Sequence, residues 1–304
     1  MMSADISESR PLNVLSCGAG VQSSTLYLMS LYGDIEPYDH VVFADTGWEP
    51  REVYDHLGKL IAEGRKVGGT EITIVSAGNI REDHLSPPER LLIKNPRKHP
   101  EYAGRQRAFI PFYVVNAPTE KNPSGKGKTL RTCTKTYKVE PVERHLRSVL
   151  GLRPGAPWPK RQVIRQSMGI TTDEEIRKKE SRRPAIVLEY PLIDRFQMSR
   201  DDCHTWLAEH GWTAPRSACI GCPFHRNQEW RRMRENDPEA WRDAIEFDEG
   251  FRARQQAGLT PLTGTPYIHD SRVPLAEADI DDDDDQVSLF GTVFGAECEG
   301  LCGT

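Results

Sequence analysis

The apolar residues in the first half of the chain form short runs that alternate with segments of helical periodicity. Buried strands of a parallel sheet have this appearance, because helices cover both faces of the sheet. The predicted strands are residues 12–16, 40–44, 71–76, 163–170 and 185–188. Strands separated by helices imply right-handed crossovers. The pattern therefore predicts an α/β fold built on a doubly wound parallel sheet.

A 3.6-residue periodicity predicts the helices that connect and follow these strands. They are residues 21–32, 49–62, 136–150, 199–210 and a long charged region at 227–257. Pro50 lies in the first turn of the second helix, and Ser199 is a natural N-cap for the fourth. Residues 87–128 are rich in proline and basic side chains and are expected to be mostly loop.

The pattern divides the chain into three expected regions. A nucleotide-binding domain is predicted at 10–198 and a smaller, helical, cysteine-bearing part at 199–276. An acidic linker and a cysteine-containing tail are predicted at 277–304. The five aspartates at 281–285 cannot bury a core, so the linker at 279–286 is expected to be disordered.

Composition and charge narrow the function classes. The 304 residues are 37% hydrophobic and 28% charged, which is typical of a soluble globular protein. No apolar run is long enough to span a bilayer and no secretory signal is visible, so we expect a cytoplasmic protein without a membrane partner. Net charge is −5, but the 276 residues before the acidic tail carry +4. That excess suits an anionic substrate and is too small to indicate nucleic acid by itself.

A loop of small residues follows the first predicted strand and opens a helix. It reads Ser-Cys-Gly-Ala-Gly-Val-Gln-Ser-Ser over residues 16–24. Such a loop lets phosphate approach backbone N–H groups at a helix N-terminus. The candidate nucleotide-binding residues are Ser16, Gly18, Ala19, Gly20, Gln22, Ser23 and Ser24. A turn that binds no ligand is the alternative, because a glycine loop alone is a weak signal.

Asp45, Thr46 and Gly47 follow the second predicted strand. They would lie at the carboxyl edge of the sheet, where ligands of open α/β sheets bind. A simple turn capped by Asp45 is the alternative. The loop and the Asp-Thr-Gly turn on successive strands together favour a nucleotide site.

These two motifs resemble those of a known family. The segment 18–23 is similar to the PP-loop of the adenine nucleotide alpha hydrolases, Ser-Gly-Gly-x-Asp-Ser, although Gly18, Ala19 and Gln22 depart from it. An Asp-Thr-Gly ends the second strand of sulfonucleotide reductases and their relatives. Weaker similarity extends over about residues 12–250. The chain thus resembles the PAPS reductase-like family of PP-loop ATP pyrophosphatases.

The resemblance implies roles for particular residues. Asp45 and Thr46 would shape an adenine-nucleotide pocket, with Asp45 a candidate catalytic residue and Mg²⁺ an optional companion of the nucleotide. Arg131 and Lys138 would face phosphates, although solvated surface charge is the ordinary explanation for either one.

Cys219-Ile-Gly-Cys222-Pro is the sharpest chemical signal among seven cysteines. A Cys-x-x-Cys turn can place two thiolates on an iron–sulfur cluster, on zinc or in a redox pair. Cys133 lies in a basic segment similar to the Cys-Cys segment of [4Fe–4S] adenylyl-sulfate reductases, with Thr132 in place of the first cysteine. Cys203 would complete a set of four ligands. Three ligands with one open iron, as in cluster-dependent tRNA thiolases, and a zinc site are the alternatives.

The tail carries Cys298 and Cys302. Sulfonucleotide reductases have a nucleophilic cysteine near the end of a mobile tail, and the layout here is similar. Cys298 would accept sulfur and Cys302 would resolve the product as a disulfide. An inert tail or a segment that docks another protein is the alternative.

The resemblance implies an enzyme that uses an adenine nucleotide to transfer sulfur. ATP would adenylate an acceptor oxygen with release of pyrophosphate, and sulfur from the cluster or a persulfide would then displace AMP. One alternative is a sulfonucleotide reductase restored by a thioredoxin-like reductant. The other is a non-catalytic nucleotide sensor that carries a cluster. Nucleic acid (tRNA or DNA) and small metabolites all stay open as acceptors.

Overall fold

The computed structural model describes residues 10–95, 97, 100–106 and 110–281. Its strands are β1 (Leu12–Cys17), β2 (His40–Asp45), β3 (Ile72–Ser76), β4 (Tyr113–Val115), β5 (Lys126–Lys128), β6 (Ile164–Met168), β7 (Ile186–Glu189) and β8 (Thr265–Tyr267). The central sheet has five parallel strands in the order β3-β2-β1-β6-β7. All five lie where the apolar runs predicted them, so the α/β fold with a parallel sheet is confirmed.

Helices flank this sheet. They are α1 (Val21–Tyr32), α2 (Arg51–Val67), α3 (Ile80–Leu85), α4 (Glu140–Val149), α5 (Pro191–Asp194), α6 (Arg200–Glu209), α7 (Asn227–Asn236) and α8 (Pro238–Gln256). A π-helical turn, Thr134–Val139, leads directly into α4. None of the described helices has the length and apolar character needed to cross a membrane.

The long helix predicted at 227–257 is two helices, α7 and α8. Asp237 ends the first, and its carboxylate accepts a hydrogen bond from the Ala240 N–H at 3.0 Å, which caps the second. Pro238 occupies the first turn of α8, where its missing N–H costs nothing. The charged pattern continues through this point, so the periodicity alone did not reveal the break.

The order of the strands reverses at β1. The chain runs outward from β1 through β2 to β3, and then returns to place β6 and β7 on the other side of β1. A crevice forms outside the carboxyl ends of the strands where such a reversal occurs, and ligands of open α/β sheets bind there. The loop after β1 lies at this position.

A second sheet was not predicted. β4 pairs with β5 on one side and β8 on the other, all antiparallel. β4 and β5 lie within the region 87–128 that was expected to be loop. Each of the three strands has only three residues, which is too short for a periodicity of two to be recognised.

Two large hydrophobic clusters fill the interior. The first lies where β1 and β2 meet α1, α2 and α6, and we call it the α1 cluster. It contains Leu15, Leu26, Phe43, Leu60, Cys203 and Leu207. The second, which we call the Trp48 cluster, lies beyond the carboxyl end of β2. It contains Trp48, Phe112, Cys219, Trp230, Phe247, Phe251, Leu275 and Ile280.

The packing does not follow the predicted boundaries. α6 belongs to the α1 cluster together with β1, and β8 pairs with β4, so the regions 10–198 and 199–276 share both cores. Beyond residue 276, Ile280 is buried and Asp281 forms an ion pair with Arg234. The disorder expected from residue 279 therefore does not apply to residues 279–281. Residues 282–304 lie outside the described residues.

Two glycines of α2 provide a matched test of this packing. A Cβ at Gly64 would lie 2.1 Å from the hydroxyl oxygen of Tyr27, which is fully buried and donates to the Thr70 carbonyl. A Cβ at Gly58 would meet nothing within 4 Å. We expect Gly64→Ala to lower the free energy of unfolding by about 1–3 kcal/mol through overpacking. Gly58→Ala should raise it by about 0.5–1 kcal/mol through helix propensity.

Urea denaturation of both variants measures the difference. Equal effects of the two substitutions would show that Tyr27 is free to move, and would contradict the packing described.

Candidate functional site

The loop between β1 and α1 has the form of an anion site. Ala19 adopts a left-handed conformation with φ of 54°, which turns the chain sharply before the helix. Gly20 is the N-cap of α1, no side chain caps this end, and its first turn contains no acidic residue. The Gly18 N–H donates to the Ser23 hydroxyl at 3.1 Å. The N-terminus of α1 is therefore suited to bind a phosphate.

Two of the predicted loop ligands point into the interior instead. The Ser24 hydroxyl lies 2.8 Å from His56 Nε2 on α2. Burial lowers the pKa of His56 to about 4, so the ring is neutral at pH 7. The Gln22 side-chain amide donates to Glu174 at 3.2 Å. Both residues are fully buried, so they anchor the loop.

A cleft lies between the sheet and the segment that contains α4. Ser16 and Gly18 of the loop line it. Its apolar lining comprises Val42, Phe43, Ala44, Val142, Ile186 and Leu188. Its polar lining comprises Lys138, Glu143, Gln166, Ser181, Arg182 and Arg183. An apolar wall with a few cations is what an adenine ring and its phosphates require.

Five polar residues of the cleft were not foreseen, namely Glu143, Gln166, Ser181, Arg182 and Arg183. The Gln166 amide donates to the Ser16 hydroxyl at 2.6 Å, which ties β6 to the end of β1. Arg183 pairs with Glu143 at 3.1 Å, and Arg182 is exposed beside it. Gln166 could have been recognised as a polar residue inside an apolar strand, but the two arginines follow no local pattern. Lys138, which was predicted, lines the cleft and its side chain is 7% exposed.

The Asp-Thr-Gly turn supports the site from the end of β2. Asp45 Oδ1 accepts hydrogen bonds from the Gly47 N–H at 2.8 Å and the Tyr54 hydroxyl at 2.9 Å. Asp45 therefore caps the turn, as in the simpler of the two interpretations. Gly47 has a φ of +70°, and a Cβ there would lie 3.0 Å from Asn79. The turn therefore requires glycine at this position.

Thr46 faces the cysteine loop. It is fully buried, and its hydroxyl donates to Glu49 Oε1 at 2.9 Å. The same hydroxyl oxygen lies 3.4 Å from Cys219 Sγ. Two motifs 173 residues apart in sequence are thus in contact.

The backbones of the Asp-Thr-Gly turn and the cysteine loop are also in contact. The Ile220 N–H donates to the Trp48 carbonyl at 2.9 Å, and Cys219 Sγ lies 3.6 Å from Glu49 Oε1. A Cβ at Gly221 would lie 2.1 Å from the Trp48 ring, so only glycine fits at position 221. The Cys-x-x-Cys loop is packed directly on the turn after β2.

The four predicted metal ligands are not equally placed. Cys133 and Cys219 both pack in the Trp48 cluster, whereas Cys203 is fully buried in the α1 cluster. Cys222 lies close enough to Lys128 to influence the pKa of that ammonium, which is lowered overall by the loss of hydration. The separation of Cys203 favours the three-cysteine alternative. The predicted nucleophiles Cys298 and Cys302 lie outside the described residues.

Within residues 10–281, excluding the gaps, no group of three or more His, Cys, Asp or Glu side chains is arranged to hold a metal ion. Among the described residues, the predicted ligands Cys133, Cys203, Cys219 and Cys222 therefore do not form an assembled metal site.

Basic residues surround the cysteine loop. Lys128 lies 3.9 Å and Arg131 5.1 Å from the ring centroid of Phe224, two residues after Cys222. The Arg131 side chain also donates to the Thr134 hydroxyl. Arg131 was predicted to bind nucleotide, but it lies beside the cysteine loop and is not among the residues that line the cleft.

Buried neutral histidines make the site sensitive to acid. Burial, followed by the charge of Arg216, lowers the pKa of His225 to about 3, and its Nε2 lies 3.0 Å from the Cys219 carbonyl. The pKa of His56 is likewise lowered to about 4. Below pH 6.5 the unfolded chain takes up these protons and the folded chain does not. Stability should therefore fall as pH decreases from 6.5 toward 4.

We expect His56→Gln to reduce the slope of the free energy of unfolding between pH 6.5 and 4.5 by up to about 1.4 kcal/mol per pH unit. Urea titrations at several pH values measure that slope. The substitution His210→Gln, at an exposed position on the surface, is the control and should leave the slope intact. An unchanged slope in His56→Gln would mean that His56 is protonated in the folded protein.

Comparison with known proteins adds no relative: no family model and no curated protein matches the chain. The resemblance to PP-loop enzymes therefore depends on the motifs at 18–23, 45–47 and 219–222 and on Cys133.

Proposed function

We propose that this protein is an adenine-nucleotide-dependent sulfur-transfer enzyme. The observation that carries the proposal is the shared wall between the nucleotide cleft and the cysteine loop. Lys138 lines the cleft and lies 3.7 Å from Glu49, and Glu49 lies 3.6 Å from Cys219 Sγ. A nucleotide and a sulfur atom would thus be handled on two sides of one turn.

The cleft can bind a nucleotide by ordinary interactions. The apolar side chains of β2, β7 and α4 would contact the adenine ring, while the N-terminus of α1 and the Lys138 ammonium would bind phosphate oxygens. Arg182 is exposed at the rim and would contact the phosphates furthest from the ring. Charge–charge attraction is stronger in such a cleft than in water, because the dielectric is lower.

This arrangement supports adenylation chemistry. An acceptor oxygen would attack the α-phosphorus of ATP, and the bond to pyrophosphate would break. A sulfur nucleophile would then displace AMP from the activated acceptor. The cations and N–H groups around the phosphates would stabilise the charge that develops on the oxygens in both steps.

We also propose that Cys133, Cys219 and Cys222 are the ligands of a [4Fe–4S] cluster, with zinc as the competing occupant. Supporting this, Cys133 and Cys219 share the Trp48 cluster and cations flank Cys222. The thiols would have to converge from the described arrangement, so no step is assigned to the cluster. A cluster held by three cysteines would leave one iron able to carry sulfide.

Product analysis distinguishes the reactions. The full chain, purified anaerobically, is incubated either with ATP, sulfide and candidate acceptors, or with adenylyl sulfate and thioredoxin. We expect ATP-dependent release of pyrophosphate. Release of sulfite would instead identify a sulfonucleotide reductase, and tight nucleotide binding without either product would identify a sensor.

A loop variant shows whether the cleft is responsible. Gly20→Val would place a branched side chain at the N-cap of α1, where the phosphate has to approach. We expect ATP affinity to fall at least about tenfold, which is about 1.4 kcal/mol, while the circular dichroism spectrum stays unchanged. A folded Gly20→Val protein with wild-type affinity would show that the loop is only a turn.

The cysteine assignment has a matched pair of variants. Anaerobically isolated wild-type protein should contain about four iron and four sulfide per chain. Cys222→Ser should lose most of both. Cys203→Ser should retain them, because Cys203 packs in the α1 cluster, away from the Trp48 cluster. Equal losses in the two variants would restore the four-cysteine set, and colourless protein with one zinc per chain would eliminate the cluster.

A further inference from the structure

Glu49 is a buried carboxylate at the junction between the cleft and the cysteine loop. Its side chain is 1% exposed, although it lies only two residues before α2. Oε1 accepts the hydroxyl proton of Thr46 at 2.9 Å. Oε2 is buried and has no hydrogen-bond partner among the residues that the structure describes. A carboxylate in this state depends strongly on the few groups around it.

Lys138 is the cation closest to this carboxylate in the contacts described. Its ammonium lies 3.7 Å from Oε1, and its side chain also lines the nucleotide cleft. A phosphate that enters the cleft would therefore attract the same ammonium that balances Glu49. As Lys138 moves toward the phosphate, the charge of Glu49 has to be stabilised by its remaining neighbours.

Those neighbours lead to the sulfur side of the site. Cys219 Sγ lies 3.6 Å from Oε1 and 3.4 Å from the Thr46 hydroxyl oxygen. The thiol can thus donate to the pair formed by Thr46 and Glu49. An unbroken series of polar contacts runs from the cleft through Lys138 and Glu49 to Cys219.

We propose that Glu49 is a positioning residue that couples occupancy of the nucleotide cleft to the side chain of Cys219. The inference rests on the proposed function, in which this cleft binds a nucleotide. Coupling between two sites is reciprocal. If nucleotide binding changes the contact between Glu49 and Cys219, a change at Cys219 must in turn change nucleotide affinity. The metal-free protein would thereby bind nucleotide most tightly when the Cys219 thiol donates to Glu49.

A double-mutant cycle tests this coupling without requiring activity or a cluster. The ATP dissociation constant is measured by calorimetry on metal-free, reduced, full-length protein. The four proteins are wild type, Cys219→Ala, Glu49→Gln and the double variant. Removing the thiol donor should make Glu49 hold Lys138 more firmly. We therefore expect Cys219→Ala to weaken ATP binding about fivefold in the wild-type background. In the Glu49→Gln background the same change should alter affinity by no more than about 1.5-fold.

Two further variants separate coupling from a structural role. Glu52→Gln removes a nearby carboxylate that is exposed and pairs with Arg232. It should leave the fivefold effect of Cys219→Ala intact. Glu49→Asp keeps the charge and should restore part of the coupling that Glu49→Gln removes.

Equal effects of Cys219→Ala in the wild-type and Glu49→Gln backgrounds would overturn the inference and leave the proposed function standing. If Glu49→Gln does not fold, Lys138→Met interrupts the same contacts from the cleft side, and persistence of the Cys219→Ala effect in that background would overturn the inference equally. Failure of the wild-type protein to bind ATP would refute the proposed function, and the inference with it.

Discussion

The position of the cysteine loop depends on the close contact between the Trp48 ring and Gly221. The indole ring lies where a Cβ of residue 221 would be, and its Nε1 donates to Asp243 of α8 at 2.5 Å. The ring also packs 4.5 Å from Phe247, centroid to centroid. Asp243 and Phe247 of α8 fix the position of the indole ring. The cysteine loop can therefore approach the turn after β2 only with glycine at position 221. The parallel pairing of β2 fixes that turn in its own place.

The two sides of the turn differ in their chemistry. On the cleft side, cations and helix N–H groups surround an apolar wall, which suits an anion attached to a flat ring. On the loop side, aromatic rings and thiols predominate, Thr46 and Glu49 are buried, and Lys128 and Arg131 lie against Phe224. Lys138 lines the cleft and pairs with Glu49, and Glu49 in turn contacts Cys219. A reaction that needs a phosphate anhydride and a sulfur atom would use these environments together.

The sequence predicted the sheet well because strands buried on both faces leave continuous apolar runs. It did not predict the small sheet, because β8 meets β4 across about 150 residues of chain and neither strand has a recognisable period. The positions of the loop after β1 and of the Asp-Thr-Gly turn were predicted from their motifs. That Ser24, Gln22 and Thr46 point away from the cleft could not be predicted, since spacing does not determine side-chain direction.

The roles of the cysteines could likewise not be predicted from their spacing. A fully buried cysteine on a helix and a metal ligand look alike in sequence, so Cys203 could be assigned to either group. Glu49 was missed for a similar reason. An acidic residue just before a helix ordinarily interacts with the helix dipole in solvent, and only the fold reveals that this one is buried beside Lys138 and Cys219.

The pairing of β8 with β4 affects the order in which parts of the protein can fold during synthesis. Residues 268, 275 and 280 complete the Trp48 cluster, which also surrounds Cys219 and is contacted by Cys133. The parallel sheet can collapse while the ribosome is still adding these residues, but this second core cannot close until they have emerged. During that interval Cys133 and Cys219 are exposed to solvent and to oxidants. Assembly of any metal site within the closed Trp48 cluster would therefore follow synthesis of residue 280.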